Sequence, residues 1–291
     1  MNLSKQSSYK TLIQYSISHH NKVIKMKNFK LALFFLVSLV TKLYSQSADS
    51  TTLANFLNKH NASLVIYNQN KDIYIRFNPE RCKQRFQPAS TYKILNALIG
   101  LETGVIQDSD YVIKWDGTPQ PMKVWERDHT LKSAIYYSVV PYFRELARRV
   151  GRDRMQYWLN KINYGNNSIG DKEDYFWLDN SLKISADEQI EFLKKFYSGK
   201  LPFSKRSLDI VKNILPEEDF QNAILRYKTG TNDTFSIAWL VGYVEKKNVS
   251  SGNGKDVYIF AFNLRAKTFD ELCELRTNIK NKMLKYLGVA E

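Results

Sequence analysis

The chain has 291 residues, enough for one large domain or two lobes on a shared core. With 43% apolar, 13% aromatic and 25% charged residues it can bury a core, which excludes a disordered chain. The net charge of +14 does not indicate a nucleic-acid partner: residues 1–45 hold seven lysines and no Arg, Asp or Glu, and the remaining 36 Lys and Arg against 29 acids are spread along the chain. Two of the four histidines, His19 and His20, fall in that leading segment, leaving His60 and His129. The cysteines are Cys82 and Cys273, and no zinc-ligand spacing occurs, so no metal or resident cofactor is expected. Nucleophilic chemistry in this chain has to work without a histidine base.

Met26 to Lys30 form a basic start, Leu31 to Val40 an apolar run, and Thr41 to Ser45 a polar close. The run is far shorter than the roughly 20 apolar residues of a membrane-spanning helix and fits a secretory signal peptide. The expected organisation is an upstream extension over 1–25, a signal peptide over 26–45 cleaved after Ser45, and one mature domain over 46–291. Such a protein is periplasmic or secreted and has no stable membrane anchor. Export makes a Cys82–Cys273 disulfide chemically possible, although two ordinary buried thiols are the simpler reading.

Ala62–Asn68 and Asp72–Asn78 are β-rich runs around a short polar turn and predict a hairpin. From Ser90 the spacing of Tyr92, Leu95, Leu98 and Ile99 is helical. Thr130 can cap a helix running to Tyr137, and Pro141–Val150 and Arg152–Ile162 read as two more. Ser185 opens a capping box with Glu188, and Ser204–Leu215 predicts a helix stopped by Pro216. Strand character returns at Phe235–Glu245 and Asp256–Leu264, around a Ser/Gly/Asn turn at 248–255. An amphipathic helix, Phe269–Leu287, closes the chain. There are no internal repeats. Strands at both ends with helices between them predict an α/β fold of α+β type: an antiparallel sheet built from the two chain ends, with an inserted helical lobe.

Three short patterns carry chemistry. Ser90-Thr91-Tyr92-Lys93 opens a helix, so the three-residue step brings the Ser90 hydroxyl and Lys93 amine to one face. Apolar neighbours Ile94, Leu95, Ala97 and Leu98 favour a half-buried Lys93 with a lowered pKa. The second pattern is Ser138-Val139-Val140, just before Pro141 and a helix. The third is Lys228-Thr229-Gly230-Thr231, just ahead of the strand at Phe235. Its glycine would let a ligand lie along a strand edge, and the N–H groups of Ser90 and Thr231 could form an oxyanion pair. Ser-x-x-Lys and Lys-Thr-Gly in this order follow the logic of serine β-lactamases and penicillin-binding proteins.

From about residue 50 to 289 the sequence resembles the class D β-lactamases, or oxacillinases, in QRFQPASTYKILNALIGLETG, VWERDHTLKSAIYYSVVPYF, NYGN, YFWLDNSLKIS, YKTG, AWLVGYVEK and YIFAFNL. The resemblance implies a serine β-lactamase/penicillin-binding-protein-like fold and hydrolysis of β-lactams. It implies that Ser90 is the acylated nucleophile and that Lys93 takes up carbon dioxide to become a carbamate, N6-carboxylysine, the general base. By the same resemblance Ser138 shuttles a proton, Val140 walls the carbamate and Trp177 donates to it. Lys228, Thr229 and Arg276 receive the substrate carboxylate, Gly230 and Thr231 complete the substrate-binding edge, and Trp125 and Tyr164-Gly165-Asn166 border the pocket. The chain departs from the family at Thr231, where an aromatic is common, at Asn232-Asp233-Thr234, and at Tyr92 in place of Phe. Small-molecule β-lactams are the expected partners, and the molecule is expected to be a monomer or homodimer. A competing resemblance is to β-lactam-sensor receptor domains, which share the Ser-Thr-Tyr-Lys and Lys-Thr-Gly-Thr forms and a WDGT stretch like Trp115–Thr118. Such domains acylate but barely deacylate. They are expected to carry a polar residue where this chain has Val140, and a membrane-spanning segment ahead of the domain.

Overall fold

The computed structural model describes residues 50–232, 234, 236–247 and 254–290; the expected signal peptide, its upstream extension and the turn at 248–253 lie outside the described residues. Residues 53–59 are helical (α1) and lead into a hairpin of β1 (Ser63–Asn68) and β2 (Ile73–Phe77). Its turn is an Asx turn: Asn68 Oδ1 accepts from the N–H groups of Asn70 and Lys71. A short helix α2 (Pro79–Lys83) and a 3-10 turn (Ala89–Tyr92) precede α3 (Lys93–Glu102). The lobe continues through β3 (Val112–Ile113), β4 (His129–Thr130), α4 (Leu131–Tyr136), α5 (Val140–Val150), α6 (Arg152–Ile162), α7 (Ala186–Tyr197) and α8 (Lys205–Ile214). The chain then returns to the sheet through β5 (Glu217–Phe220), β6 (Ala223–Thr231), β7 (Ala238–Lys247) and β8 (Lys255–Leu264), and ends in α9 (Phe269–Tyr286).

The main sheet is antiparallel throughout, in the order β2-β1-β8-β7-β6-β5, so both chain ends contribute to it as the sequence predicts. Alternation along its strands feeds two cores. Val65, Trp239, Val241, Ile259 and Ala261 face the helical lobe, whereas Leu64, Ile66, Leu240, Phe260 and Phe262 face α1 and α9. With both faces covered, β1 is buried along its whole length. Cys82 belongs to the first core and Cys273 packs against the second; both are free thiols, so the disulfide does not form.

The caps at Thr130 and Ser185 form as expected, each as a reciprocal capping box, with Ser133 and Glu188 respectively. Three features differ from the sequence reading. The Lys228-Thr229-Gly230-Thr231 stretch does precede the strand β7, but it also forms the end of a strand that the sequence reading lacks, β6. Strand β5, of sequence EEDF, is absent from the sequence reading; Arg226 and Lys280 neutralise Glu217 and Glu218 at the sheet edge. Helix α2 is too short to show a helical period. Among the described residues, no helix is long and apolar enough to cross a membrane.

Candidate active site

Helix α3 is buried from Lys93 to Leu101, an apolar rod through the centre of the lobe. Its first residue brings a lysine side chain into that interior. Lys93 is fully buried, and its Nζ lies 2.6 Å from Ser90 Oγ, 2.9 Å from the Ser138 carbonyl and 3.3 Å from Ser138 Oγ. Lys228 reaches the same hydroxyl from β6, donating to Ser138 Oγ at 2.9 Å and to its neighbour's carbonyl, Thr229 O, at 3.1 Å. Ser90, Lys93, Ser138 and Lys228 thus form one hydrogen-bonded chain across three segments of sequence.

Ser138 stands in the left-handed region at φ +56°, as does Ala89 at φ +48° just before Ser90. Positive φ is uncommon outside glycine, and here it shapes the two turns that present the serines. At Ser138 it lets both the carbonyl and the hydroxyl address Lys93.

Burial, and then the nearby Lys228 charge, hold the Lys93 amine well below the usual lysine range. Burial, followed by the Arg276 guanidinium, pushes Lys228 down to about 7. Arg276, on α9, is itself lowered by its own burial. Among the described residues, no carboxylate pairs with any of these three cations. An uncharged Lys93 can accept the Ser90 proton, and the remaining positive charge makes the pocket a receptor for an anion.

The strand edge beside Ser90 is open. β5 pairs β6 only as far as Arg226, and Tyr227 N–H still bonds outward to Pro216 O at 3.0 Å. By antiparallel parity Thr229 and Thr231 turn their N–H groups to the same side, so Thr231 N–H joins Ser90 N–H in bordering the site. The Thr231 hydroxyl faces away into the following turn, toward the carbonyls of Asn232 and Ile237 at 3.3 Å. Gly230 is required by the approach of the 3-10 turn: a Cβ there would sit 2.9 Å from Pro88 O and 3.1 Å from Ser90 N. Gly230→Val is therefore expected to force strand and turn apart and slow acylation about 10²-fold, read from pre-steady-state kinetics with a chromogenic β-lactam.

Trp177 is fully buried, stacked on Tyr92 at 5.3 Å, and its indole Nε1 has no hydrogen-bond partner. A buried unpartnered N–H is rare and marks a place for an absent acceptor. Val140 lies half-buried at the start of α5. Trp125 is tied to the segment before Ser138, its Nε1 donating to Tyr137 O at 3.0 Å, and lines a neighbouring cavity of about 260 Å³ with Trp115, Arg127 and Val139. Tyr164-Gly165-Asn166 acts as a brace: Tyr164 packs edge-on against Tyr92, and Asn166 bonds to Ser181 and Lys183. His129 is engaged elsewhere, with ring nitrogens 3.0 Å from Ser133 Oγ and 2.9 Å from Val124 O.

Comparison with known proteins identifies the family. Residues 54–269 match the penicillin binding protein transpeptidase domain. The chain is 44% identical over 214 residues to Beta-lactamase OXA-10 of Pseudomonas aeruginosa, covering 72% of this chain and 77% of that protein. Its fold superposes on that of FUS-1 (OXA-85), a class D β-lactamase from Fusobacterium nucleatum subsp. polymorphum, with a TM-score of 0.76, 35% identity, and coverage of 83% of this chain and 99% of that one. The chain belongs to the class D β-lactamases.

The chain is also 40% identical over 197 residues to Regulatory protein BlaR1 of Bacillus licheniformis, a match covering 66% of this chain and 33% of that protein. Several residues that support the site in this class D β-lactamase carry no sequence signal. Gln189, from α7, donates to Thr91 Oγ1 at 2.9 Å, and Thr91 Oγ1 donates to Pro88 O at 2.8 Å. Trp239 Nε1 donates to Gln87 O at 2.9 Å. These bonds pin the turn that carries Ser90 from two sides, and only the tertiary fold brings the partners together.

Proposed function

We propose that this class D β-lactamase is exported and hydrolyses β-lactams through an acyl-enzyme on Ser90, with Lys93 working as its carbon dioxide adduct. The observation that carries the reading is the fully buried Lys93 amine 2.6 Å from Ser90 Oγ, with no carboxylate partner among the described residues. Only an uncharged amine adds carbon dioxide, and burial favours the uncharged form of this amine. The adduct would supply an anionic general base able to take the proton of Ser90 and then that of the deacylating water. Trp177 fits it as a donor, since its buried Nε1 has no other acceptor.

The residues of the chain provide the rest. Ser90 Oγ attacks the lactam carbonyl, and the N–H groups of Ser90 and Thr231 receive the oxygen as it becomes negative. The C–N bond breaks, and Ser138 Oγ, held by Lys228 and Lys93, passes a proton to the departing nitrogen. Lys228 and Arg276 attract the substrate carboxylate, and Thr229 shares their edge. Val140 contributes an apolar wall.

A sensor that acylates once is the second reading, favoured by the BlaR1 similarity; apolar Val140 favours hydrolysis. Steady-state turnover of nitrocefin decides between them. The proposal expects continuous turnover that rises on adding bicarbonate. It also expects turnover to fall as the pH drops through the depressed Lys93 pKa, because protonation removes the amine that holds carbon dioxide. A single burst equal to the protein concentration would establish the sensor reading instead.

A further inference from the structure

Five buried side-chain atoms near the turn that carries Ser90 have no hydrogen-bond partner: Asn263 Nδ2 and Oδ1, Arg81 Nε and Nη2, and Gln87 Nε2; Ser63, across from Asn263, meets the Cys82 thiol. Strand register explains why they meet. Ser63 pairs with Asn263, Asn263 with Trp239, and Trp239 with Gly230, so the four form one row across the sheet. Their sequence neighbours Leu64, Phe262 and Leu240 belong to the α9-side core, which places this row on the opposite face, toward the helical lobe. At one end of the row Gly230 touches the catalytic turn. Trp239 follows and closes off that end. Beyond it lie Asn263 and Ser63, with Ser63 beside the Cys82 thiol.

Helix α2 places Arg81 over this far end. The residue is only 4% exposed, and its guanidinium stacks on the Phe86 ring at 4.5 Å, while Phe86 meets Trp239 edge-on. Among the described residues, no carboxylate pairs with it. The other cation acting on it is the exposed Arg265, of the same sign, and burial with Arg265 pushes Arg81 down to about 10, so it stays charged at neutral pH. Donors outnumber acceptors: Arg81, Gln87 and Asn263 offer four N–H-bearing atoms, Ser63 can donate, and only Asn263 Oδ1 must accept. Water could satisfy the hydrogen bonds but not the charge. A buried charge without a counter-charge is among the costliest arrangements a fold can hold.

We propose that these groups form a binding site for a small monovalent inorganic anion of halide size, held by Arg81 with the side chains of Asn263, Gln87 and Ser63. It is separate from the carboxylate receptor of Lys228 and Arg276, because Trp239 and Gly230 stand between Asn263 and Ser90 in the row. Occupancy would also anchor Gln87, whose carbonyl already holds Trp239, and so steady the turn that leads to Ser90.

Crystals of the mature protein soaked in bromide provide the direct test, with melting measured in sodium chloride and in sodium gluconate at equal ionic strength. The proposal expects an anomalous peak within hydrogen-bonding distance of Arg81 Nε. It also expects chloride to raise the wild-type Tm by about 2–4 °C, an effect lost in Arg81→Met and reduced in Gln87→Leu. If Arg81→Met does not fold, the soak and Gln87→Leu decide the matter. Water alone beside Arg81 with equal melting in both salts would overturn the proposal, as would a bromide peak only beside Lys228 and Arg276.

Discussion

Lys93→Ala is expected to lower steady-state turnover by about 10²–10⁴-fold and to leave a penicillin adduct on Ser90 that outlasts the wild-type adduct by a similar factor. Both halves of the cycle need a proton acceptor beside Ser90, and Lys93 is the only titratable side chain hydrogen-bonded to that hydroxyl among the described residues. Mass spectrometry over time separates the outcomes. A persistent adduct in the variant and a transient one in the wild type support the assignment; equal adduct lifetimes would contradict it. The variant should also change the pH dependence of stability. A buried lysine with a depressed pKa binds fewer protons folded than unfolded, so it makes stability rise with pH between its folded value and its ordinary value near 10.5. Removing Lys93 should flatten that slope in denaturant titrations, whatever happens to activity.

Ser138→Ala should lower kcat by about 10²–10³-fold with a smaller change in KM. The hydroxyl is the one atom that contacts both buried lysines, at 3.3 and 2.9 Å, and it stands where a proton must pass to the leaving nitrogen. The carbonyl of the same residue still holds Lys93 at 2.9 Å in the variant, so Lys93 keeps its place while the relay is cut. Stopped-flow acylation rates read this effect, and a loss below about fivefold would assign the relay to another group.

Local signals made much of this site legible. The Ser90–Lys93 step, the apolar surroundings of that lysine, the Thr130 and Ser185 caps and the Lys-Thr-Gly stretch can each be read within a few residues. What sequence could not supply was non-local. Lys228 meets Ser138 because the fold brings β6 up to the turn after α4, and nothing near either residue encodes that. The left-handed backbone at Ala89 and Ser138 is invisible at non-glycine positions, where residue type predicts the opposite. Strand β5 was hidden because its charges are neutralised by residues from β6 and α9. Arg81 carries no sequence sign of burial, which only its place in the fold and its stack on Phe86 reveal.

The fold also explains why a site so rich in positive charge tolerates two buried lysines. Burial disfavours the charged forms of both, and beyond it the Lys228 charge acts against Lys93 and the Arg276 charge against Lys228. An anion arriving beside Lys228 would favour its charged form and so raise its pKa. Stability is spent to keep one amine reactive, a trade-off common at catalytic centres.

Carbon-13 NMR of the protein equilibrated with labelled bicarbonate tests the central claim most directly. The account predicts a carbamate resonance that disappears in Lys93→Ala, weakens in Trp177→Phe and fades with falling pH in step with nitrocefin turnover. A wild-type enzyme that turns over continuously with no such resonance would contradict it.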